Sequence, residues 1–186
     1  MLPKTSNEPT IRCIVVCGPA TCGKTTLAKA VEKQTGCNRI EGDDYHSEKW
    51  KRKPYPLSDE ERDRWIAKLT RAICQSLAEH RMTVATCSAL TRRVQSQLMA
   101  IRGVVLVYLD ISLATALMRA SARAANQDHW FHEEYLIRDQ FKRLQLPVAG
   151  HQVVIHSGDK EPEKLVTTVL SFAKWKLLCP KCESAR

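Results

Sequence analysis

Short apolar runs alternate along the chain with longer amphipathic stretches. The apolar runs predict strands at residues 11–17, 39–41, 82–87, 104–109 and 153–155. Helices are predicted at residues 24–34, from Ser58 onward, at 91–100, from Ser112 onward, at 133–144 and from 162 to about 178. Because parallel strands need long crossover connections, this alternation predicts an α/β fold with about five parallel strands and helices on both faces.

Local end signals support several of these helices. Ser58 and Glu61, three residues later, form a capping box at the start of the longest one. Its predicted core stripe, at steps of four residues, consists of Trp65, Leu69, Ile73 and Leu77. Gly36 is placed to end the first helix, Ser112 to cap another, and Pro162 fits the first turn of the last.

The most specific motif follows the first predicted strand. Residues 18–25 read G-P-A-T-C-G-K-T and match the phosphate-binding loop pattern G-x-x-x-x-G-K-[ST]. In such a loop, backbone N–H groups and the start of the next helix face phosphate oxygens, Lys24 reaches the β- and γ-phosphates, and the Thr25 hydroxyl ligates Mg²⁺. A chance glycine turn would lack the flanking strand and helix that this motif has. We therefore predict a nucleoside triphosphate and Mg²⁺ as cofactors.

The whole loop is predicted to contact the nucleotide. Its residues are Gly18, Pro19, Ala20, Thr21, Cys22, Gly23, Lys24, Thr25 and Thr26.

Acidic residues follow the second predicted strand, at the edge where ligands bind in parallel sheets. Asp43 is the first candidate to accept a proton from a substrate hydroxyl or to orient it, and Glu41 is a candidate to hold a water on Mg²⁺. The alternative is a polar turn in which Asp44 is only a cap. His46 by itself would be an ordinary surface or capping histidine.

Basic residues near a predicted lid offer a second set of catalytic candidates. Arg119 and Arg123 share one helix face and precede a polar stretch, so that a lid is expected at about residues 123–132. Arginines there can clamp a transferring phosphoryl group, and a solvated helix face is the alternative.

The third predicted strand also ends at the expected ligand edge. Ser88 follows it, and Arg92 comes shortly after, so both are candidate substrate-binding residues. Cys87 has no histidine at a spacing typical of a nucleophile pair, which favours a buried strand end.

Composition narrows the setting. The 186 residues, 44% of them hydrophobic, suit a single domain over 1–178 with a tail at 179–186. The chain has no apolar run of roughly 18 residues, which a membrane span needs, and no visible export signal. Four of the eight cysteines lie in apolar segments, which favours reduced thiols and a cytoplasmic location. Cys179 and Cys182 form one C-x-x-C pair, which is half a zinc site or a plain tail.

The net charge of +9 allows either nucleic acid or a small anion as partner. No aromatic residues interleave with the basic clusters, as a single-strand binding surface would need. We therefore expect a small anionic substrate and neither a nucleic-acid nor a membrane partner.

Taken together, the motifs resemble the gluconokinase family of small P-loop kinases. Besides the phosphate-binding loop, they are G-D-D-Y-H at 42–46, P-L-S-D-E-E-R at 56–62 with Trp65, C-S-A-L at 87–90, Arg119 with Arg123, and Gln140-Phe141 with Leu144-Gln145. The resemblance implies ATP-dependent phosphorylation of D-gluconate at its 6-hydroxyl and a homodimer. It also implies that Asp43 engages the hydroxyl, and that Arg119 and Arg123 lie over the phosphates. His46, Asp59 and Arg62 would hold the sugar acid.

The departures from the family pattern concern the acceptor side. Residues 47–55 are shorter than usual, the family's Lys after C-S-A-L is Thr91, its Tyr-Arg pair is Val94-Gln95, and its Gly-His-Phe falls in a longer loop at 128–131. A kinase of another sugar acid, a nucleoside or a nucleotide is therefore the main alternative. A nucleotide-binding regulator without activity is the third, and the intact Lys24, Thr25 and Asp43 argue against it.

Overall fold

The computed structural model describes residues 11–48, 56–79, 81–125, 133–150, 153–157 and 162–174. The strands are β1 (Cys13–Cys17), β2 (Asn38–Ile40), β3 (Thr83–Cys87), β4 (Val104–Asp110) and β5 (Val153–Ser157). The α-helices are α1 (Lys24–Thr35), α2 (Asp59–Ala78), α3 (Arg92–Met99), α4 (Leu113–Ala125), α5 (Glu134–Arg143) and α6 (Pro162–Ala173). A 3₁₀ turn spans Gly42–Tyr45.

The five strands form one parallel sheet in the order β2-β3-β1-β4-β5. The predicted α/β fold with a parallel sheet is thus confirmed. β1 lies at the centre, and the loop at 18–23 leaves its carboxyl end. The turns after β2 and β3 leave neighbouring strands at the same edge, which brings three candidate segments together.

Alternate residues of β1 point to opposite faces of the sheet, because side chains in a strand alternate. Ile14 and Val16 join a core with α1, α4, α5 and α6 on one face. Cys13, Val15 and Cys17 join a second core with α2 and α3 on the other face. The prediction of helices on both faces is therefore confirmed, and both faces of the central strand are dry.

The helix ends follow local sequence signals. The Ser58 hydroxyl accepts from the Glu61 N–H, and the Glu61 carboxylate accepts from the Ser58 N–H, which completes the predicted capping box. The whole predicted stripe of α2 is buried: Trp65, Leu69, Ile73 and Leu77. Gly36 ends α1 with a φ of +66°, a conformation that glycine adopts at little cost. Thr115 N–H donates to the Ser112 hydroxyl at the start of α4.

Most strand and helix bounds shift by one or two residues from their predicted positions. The last helix is described as far as Ala173, and residues 175–178 of its predicted span lie outside the described residues. Glu41, predicted within the second strand, instead lies just before the 3₁₀ turn. Most of the predicted lid, residues 126–132, lies outside the described residues, as do Cys179 and Cys182.

The six described cysteines are free thiols: Cys13, Cys17, Cys22, Cys37, Cys74 and Cys87. Burial raises the pKa of Cys87 to about 12, so its thiol stays neutral and packs as a small apolar group. This agrees with the prediction of a strand end rather than a nucleophile. None of the helices in the described part of the chain combines the length and apolarity that a membrane crossing requires.

Candidate active site

The phosphate-binding loop is a tight backbone cradle between β1 and α1. Gly18 has a φ of +138°, and a Cβ there would lie 2.4 Å from the Leu109 carbonyl oxygen. Gly23 has a φ of +96° immediately before α1. Lys24 Nζ donates to the carbonyl oxygens of Gly18 (3.1 Å) and Pro19 (2.8 Å). The glycines allow the close approach that a phosphate cradle needs, and the lysine ammonium lies over the loop.

Neighbouring elements hold this loop from outside. The Thr21 hydroxyl donates to the Ala116 carbonyl of α4 at 3.1 Å, and Arg119 Nη1 donates to the Thr21 carbonyl at 3.4 Å. The Ala20 N–H donates to Gln140 Oε1 of α5 at 2.8 Å. Cys22 is buried, and its burial raises the pKa of the thiol even though Lys24 opposes this. Its sulfur therefore fills space beneath the loop.

A cavity of about 350 Å³ opens beside the loop, which is in the size range of small-molecule sites. It brings together loop residues, the turn after β2, the start of α2, the turn after β3 and one side of α5. The predicted site residues in its lining are Ala20, Thr21, Gly23, Lys24, Thr25, Asp43, His46, Asp59, Arg62, Ser88 and Arg123. Donor-side and acceptor-side candidates thus share one cavity.

The wall next to Asp43 is built on an aromatic stack. The His46 ring lies on the Trp65 indole with centroids 4.6 Å apart and planes 9° from parallel. Trp65 Nε1 donates to the Gly42 carbonyl at 2.8 Å, and Gly42 N–H donates to the Thr86 hydroxyl at 3.0 Å. His46 Nε2 lies 3.9 Å from Asp43 Oδ1. These contacts hold the 3₁₀ turn, and therefore Asp43, against α2 and β3.

Gly42 has no room for a side chain, which leads to a stability prediction. A Cβ there would lie 2.2 Å from the Thr86 carbonyl oxygen, which is backbone and cannot swing away. We expect Gly42→Ala to lower the free energy of unfolding by about 2–3 kcal/mol, the cost of overpacking a rigid contact. Urea unfolding followed by tryptophan fluorescence measures it. Gly150→Ala is the matched control, because a Cβ there meets nothing within 4 Å. Equal stability of the two variants would contradict the prediction.

The acceptor side of the cavity carries alternating charges from α2 and α5. Arg62 lies 3.4 Å from Asp139 and 3.5 Å from Asp59, and Arg143 lies 3.1 Å from Asp139 and 3.2 Å from Asp59. Burial, followed by the charge of Arg143, lowers the pKa of Arg62, while Asp139 and Asp59 act in the opposite direction. Arg62 Nη1 is buried and faces Asp59 Oδ1 at 3.5 Å, and Nη2 donates to Asp139 Oδ2 at 3.4 Å. The Arg62 guanidinium therefore lies in the cavity lining between two carboxylates.

Outside the phosphate-binding loop, the structure places three predicted site residues away from the cavity lining. The Arg92 side chain is exposed, and its neighbour Arg93 lines the cavity, paired with Asp63 at 2.7 Å. Successive residues of a helix point about 100° apart, so only one of the two arginines can face inward. The expectation that Arg92 faces the substrate is therefore corrected in favour of Arg93.

Glu41 and Arg119 are the other two. The Glu41 carboxylate accepts from the Thr86 hydroxyl and lies 3.8 Å from Arg39, so it is turned toward the sheet. Arg119 contacts the backbone of the phosphate-binding loop instead of lining the cavity with Arg123.

Three residues of the cavity lining and one residue beside it escaped the candidate set drawn from the sequence. Asp139 and Arg143 look like ordinary i, i+4 surface partners on a helix. Gln140 and Gln145 appeared only within the motif shared with the family, without a role. In the structure, Gln145 Oε1 accepts from the Arg92 N–H at 2.9 Å, and Gln140 contacts the loop. The shared Gln-Phe and Leu-Gln spacing was the available signal for both glutamines.

Comparison with known proteins shows which family this chain is similar to. A family model described as an AAA domain matches residues 13–147. A probable gluconokinase of Schizosaccharomyces pombe is 33% identical over 160 residues, covering 81% of each chain. The crystal structure of a sugar kinase from Janibacter sp. has a TM-score of 0.78 at 26% identity, covering 88% of this chain and 94% of that one. A gluconokinase structure from Sinorhizobium meliloti has a TM-score of 0.74 at 26% identity, covering 90% and 94%.

The parallel sheet, the phosphate-binding loop and the adjoining cavity define a P-loop kinase, an enzyme that transfers a phosphoryl group to an alcohol. ATP binding is expected of this class. The chain belongs to the gluconokinase family. The prediction of this family from the residues is confirmed.

Proposed function

We propose that the protein phosphorylates D-gluconate at the 6-hydroxyl, with ATP as donor, giving 6-phosphogluconate and ADP. The observation that carries the proposal is the single cavity in which Lys24 and Thr25 of the phosphate-binding loop meet Asp43 and the guanidinium of Arg62. A sugar acid offers a hydroxyl at one end and a carboxylate at the other. The cavity lining includes the Asp43 carboxylate, which could contact the hydroxyl, and the guanidinium groups of Arg62 and Arg143, which could contact the carboxylate.

In the proposed reaction, Asp43 orients the acceptor hydroxyl and takes its proton as the oxygen attacks the γ-phosphorus. The new oxygen–phosphorus bond forms as the bond to the bridging β–γ oxygen breaks, and ADP leaves with that oxygen. Lys24 and Arg123 lie in the cavity lining, where positive charge stabilises negative charge on the phosphoryl oxygens. Arg119 acts indirectly, by holding the loop at Thr21.

The loop residues fit a triphosphate with Mg²⁺. A side chain at Gly18 would clash with the Leu109 carbonyl and the Cys22 sulfur, so glycine is needed for the tight loop, and Thr25 lies in the cavity wall at the start of α1. Thr25 is the residue that would hold Mg²⁺, which would neutralise charge on the β- and γ-phosphates. The Glu41 carboxylate is bound to the Thr86 hydroxyl. Its main role would therefore be to support the turn that carries Asp43, rather than to hold a water on the metal.

The carboxylate of the acceptor is proposed to bind Arg62, with Arg93 and Arg143 beside it. Arg62 is the more buried of these, with 23% of its side chain exposed against 62% for Arg93 and 40% for Arg143. Partial burial strengthens a guanidinium–carboxylate contact because water competes less. His46 and Ser88 would contact hydroxyls of the polyol, and Asp59 would keep Arg62 in place.

A coupled ADP-release assay over a panel of acceptors tests the proposal. Gluconate is expected to raise ADP release far above the acceptor-free rate, and mass spectrometry is expected to identify 6-phosphogluconate. The panel should include other sugar acids, nucleosides and nucleotides, because Thr91 and Val94, which depart from the family pattern, line this cavity. If another acceptor supports turnover and gluconate does not, the substrate assignment is wrong while the kinase class stands.

Three further properties complete the proposal. The chain acts as a homodimer, as the family resemblance implies, and sedimentation measures this. It works in the cytoplasm, consistent with its free thiols. Residues 1–178 form one kinase domain, in which the lid at about 123–132 stays a prediction from the sequence.

A further inference from the structure

The side chain of Gln140, on α5, is hydrogen-bonded to the backbone of the phosphate-binding loop. Its Oε1 atom accepts a hydrogen bond from the Ala20 N–H at 2.8 Å, across 120 residues of sequence. The donor is a backbone N–H, so the acceptor must be the oxygen end of the side-chain amide. Ala20 is the third residue of the phosphate-binding loop and lines the cavity, as Gln140 does. The contact therefore fixes a part of the loop that faces the ligand.

The same helix is tied to the acceptor side of the cavity. Asp139, adjacent to Gln140, lies 3.4 Å from Arg62 of α2. Arg143, one turn later, lies 3.2 Å from Asp59 at the start of α2. Both residues line the part of the cavity proposed to bind the acceptor, and neither contact involves the phosphate-binding loop.

The segment after α5 is fastened to the turn after β3. Gln145 N–H donates to the Leu90 carbonyl at 2.8 Å, and Gln145 Oε1 accepts from the Arg92 N–H at 2.9 Å. Gln95, which is buried, donates to the Gln145 carbonyl at 2.8 Å. Asp139 and Gln140 are adjacent in this helix, so a displacement of Asp139 is expected to displace Gln140 as well.

We propose that Gln140 is a positioning residue that couples the acceptor pocket to the phosphate-binding loop through α5. The ion pairs of Asp139 and Arg143 fix the position of α5. Through its hydrogen bond, Gln140 makes the position of the Ala20 amide depend on the position of the helix. An anion that engages Arg62 then acts on the loop through Asp139 and Gln140. The expected effect on kcat rests on the proposed phosphoryl transfer. The expected effect on hydrogen exchange at the Ala20 amide can be measured without a substrate.

The first test is hydrogen exchange at the Ala20 amide, measured by NMR on the substrate-free protein. Gln140→Met keeps the length of the side chain and removes the accepting oxygen, so we expect exchange at Ala20 to rise by about fivefold or more, as the loss of a hydrogen bond implies. Asp139→Asn leaves Gln140 in place and is expected to raise exchange at Ala20 as well, through the helix. Lys142→Met, exposed on the same helix, is the control and should change neither exchange nor turnover.

The second test is kinetic, with saturating ATP and the best acceptor of the panel. Each of Gln140→Met and Asp139→Asn should lower kcat by about tenfold, and the double variant should lose little more than either single one because both cut the same link. Unchanged exchange at Ala20 in either variant would overturn the coupling. So would a near-hundredfold loss in the double variant, or a kcat of Gln140→Met within twofold of the wild type. Thermal unfolding identifies any variant that fails to fold. If Gln140→Met does not fold, the exchange rate and kcat of Asp139→Asn alone decide whether the coupling exists. Failure of gluconate as acceptor leaves the exchange result intact, so the two proposals fail separately.

Discussion

Replacing Lys24 with alanine is expected to lower turnover by about 10³-fold or more while leaving the fold in place. The ammonium lies over the phosphate-binding loop, where it donates to the carbonyls of Gly18 and Pro19. In the reaction it would meet the growing negative charge on the phosphoryl oxygens, and loss of one such donor commonly costs 10²–10³-fold in rate. Here a full positive charge is lost along with the donor, so the effect should lie at or beyond that range.

The stability cost of this change should be small. The two loop contacts of Lys24 are worth about 1 kcal/mol each in net terms, so the unfolding free energy should fall by no more than about 2 kcal/mol. The assay is steady-state ADP release together with thermal unfolding. Lys29→Ala is the matched control, because it removes the same charge from an exposed position on the same helix. Normal turnover in the Lys24 variant would refute the assignment of the loop.

The second large effect is expected from Asp43→Asn. This change keeps the size of the side chain and its place in the cavity wall, and removes the ability to take the proton of the acceptor hydroxyl. General-base catalysis contributes about 10²–10⁴-fold, so kcat should fall by about 10²-fold or more. The KM for ATP should stay within about threefold, because the loop that holds the triphosphate is untouched.

A neighbouring residue provides the control for Asp43. Asp44→Asn makes the same chemical change one position along the chain, at an exposed side chain outside the cavity lining. Its kcat should match that of the wild-type enzyme. If the Asp43 variant instead loses only affinity for ATP, Asp43 belongs to the nucleotide and metal side of the site.

Features controlled by local chemistry could be predicted from the sequence. The capping box at Ser58 and Glu61 needs only residues three apart, and the structure contains both of its hydrogen bonds. The phosphate-binding loop was likewise predictable, because its glycines meet a backbone requirement that is visible in the motif. Long alternating apolar and amphipathic segments were sufficient for the sheet and its two helical layers.

The direction of individual side chains was less predictable, because it depends on packing between distant segments. Arg92 and Arg93 are adjacent, and the docking of α3 decides which one faces the cavity. Glu41 is drawn toward β3 by the Thr86 hydroxyl, 45 residues away in the sequence. The contact from Gln140 to the Ala20 amide has no local signal at all.

The charges around the cavity are almost balanced, although the chain as a whole carries +9. The charged side chains of its lining are five basic ones (Lys24, Arg62, Arg93, Arg123 and Arg143) and four acidic ones (Asp43, Asp59, Asp63 and Asp139). Because the net charge of the lining is small, the cavity attracts an anion only weakly on the basis of its charge alone. Affinity must then come from oxygens that match the fixed guanidinium donors one by one. The enzyme should therefore discriminate among anions of equal charge by their shape, and abundant small anions in the cell should compete poorly with its acceptor.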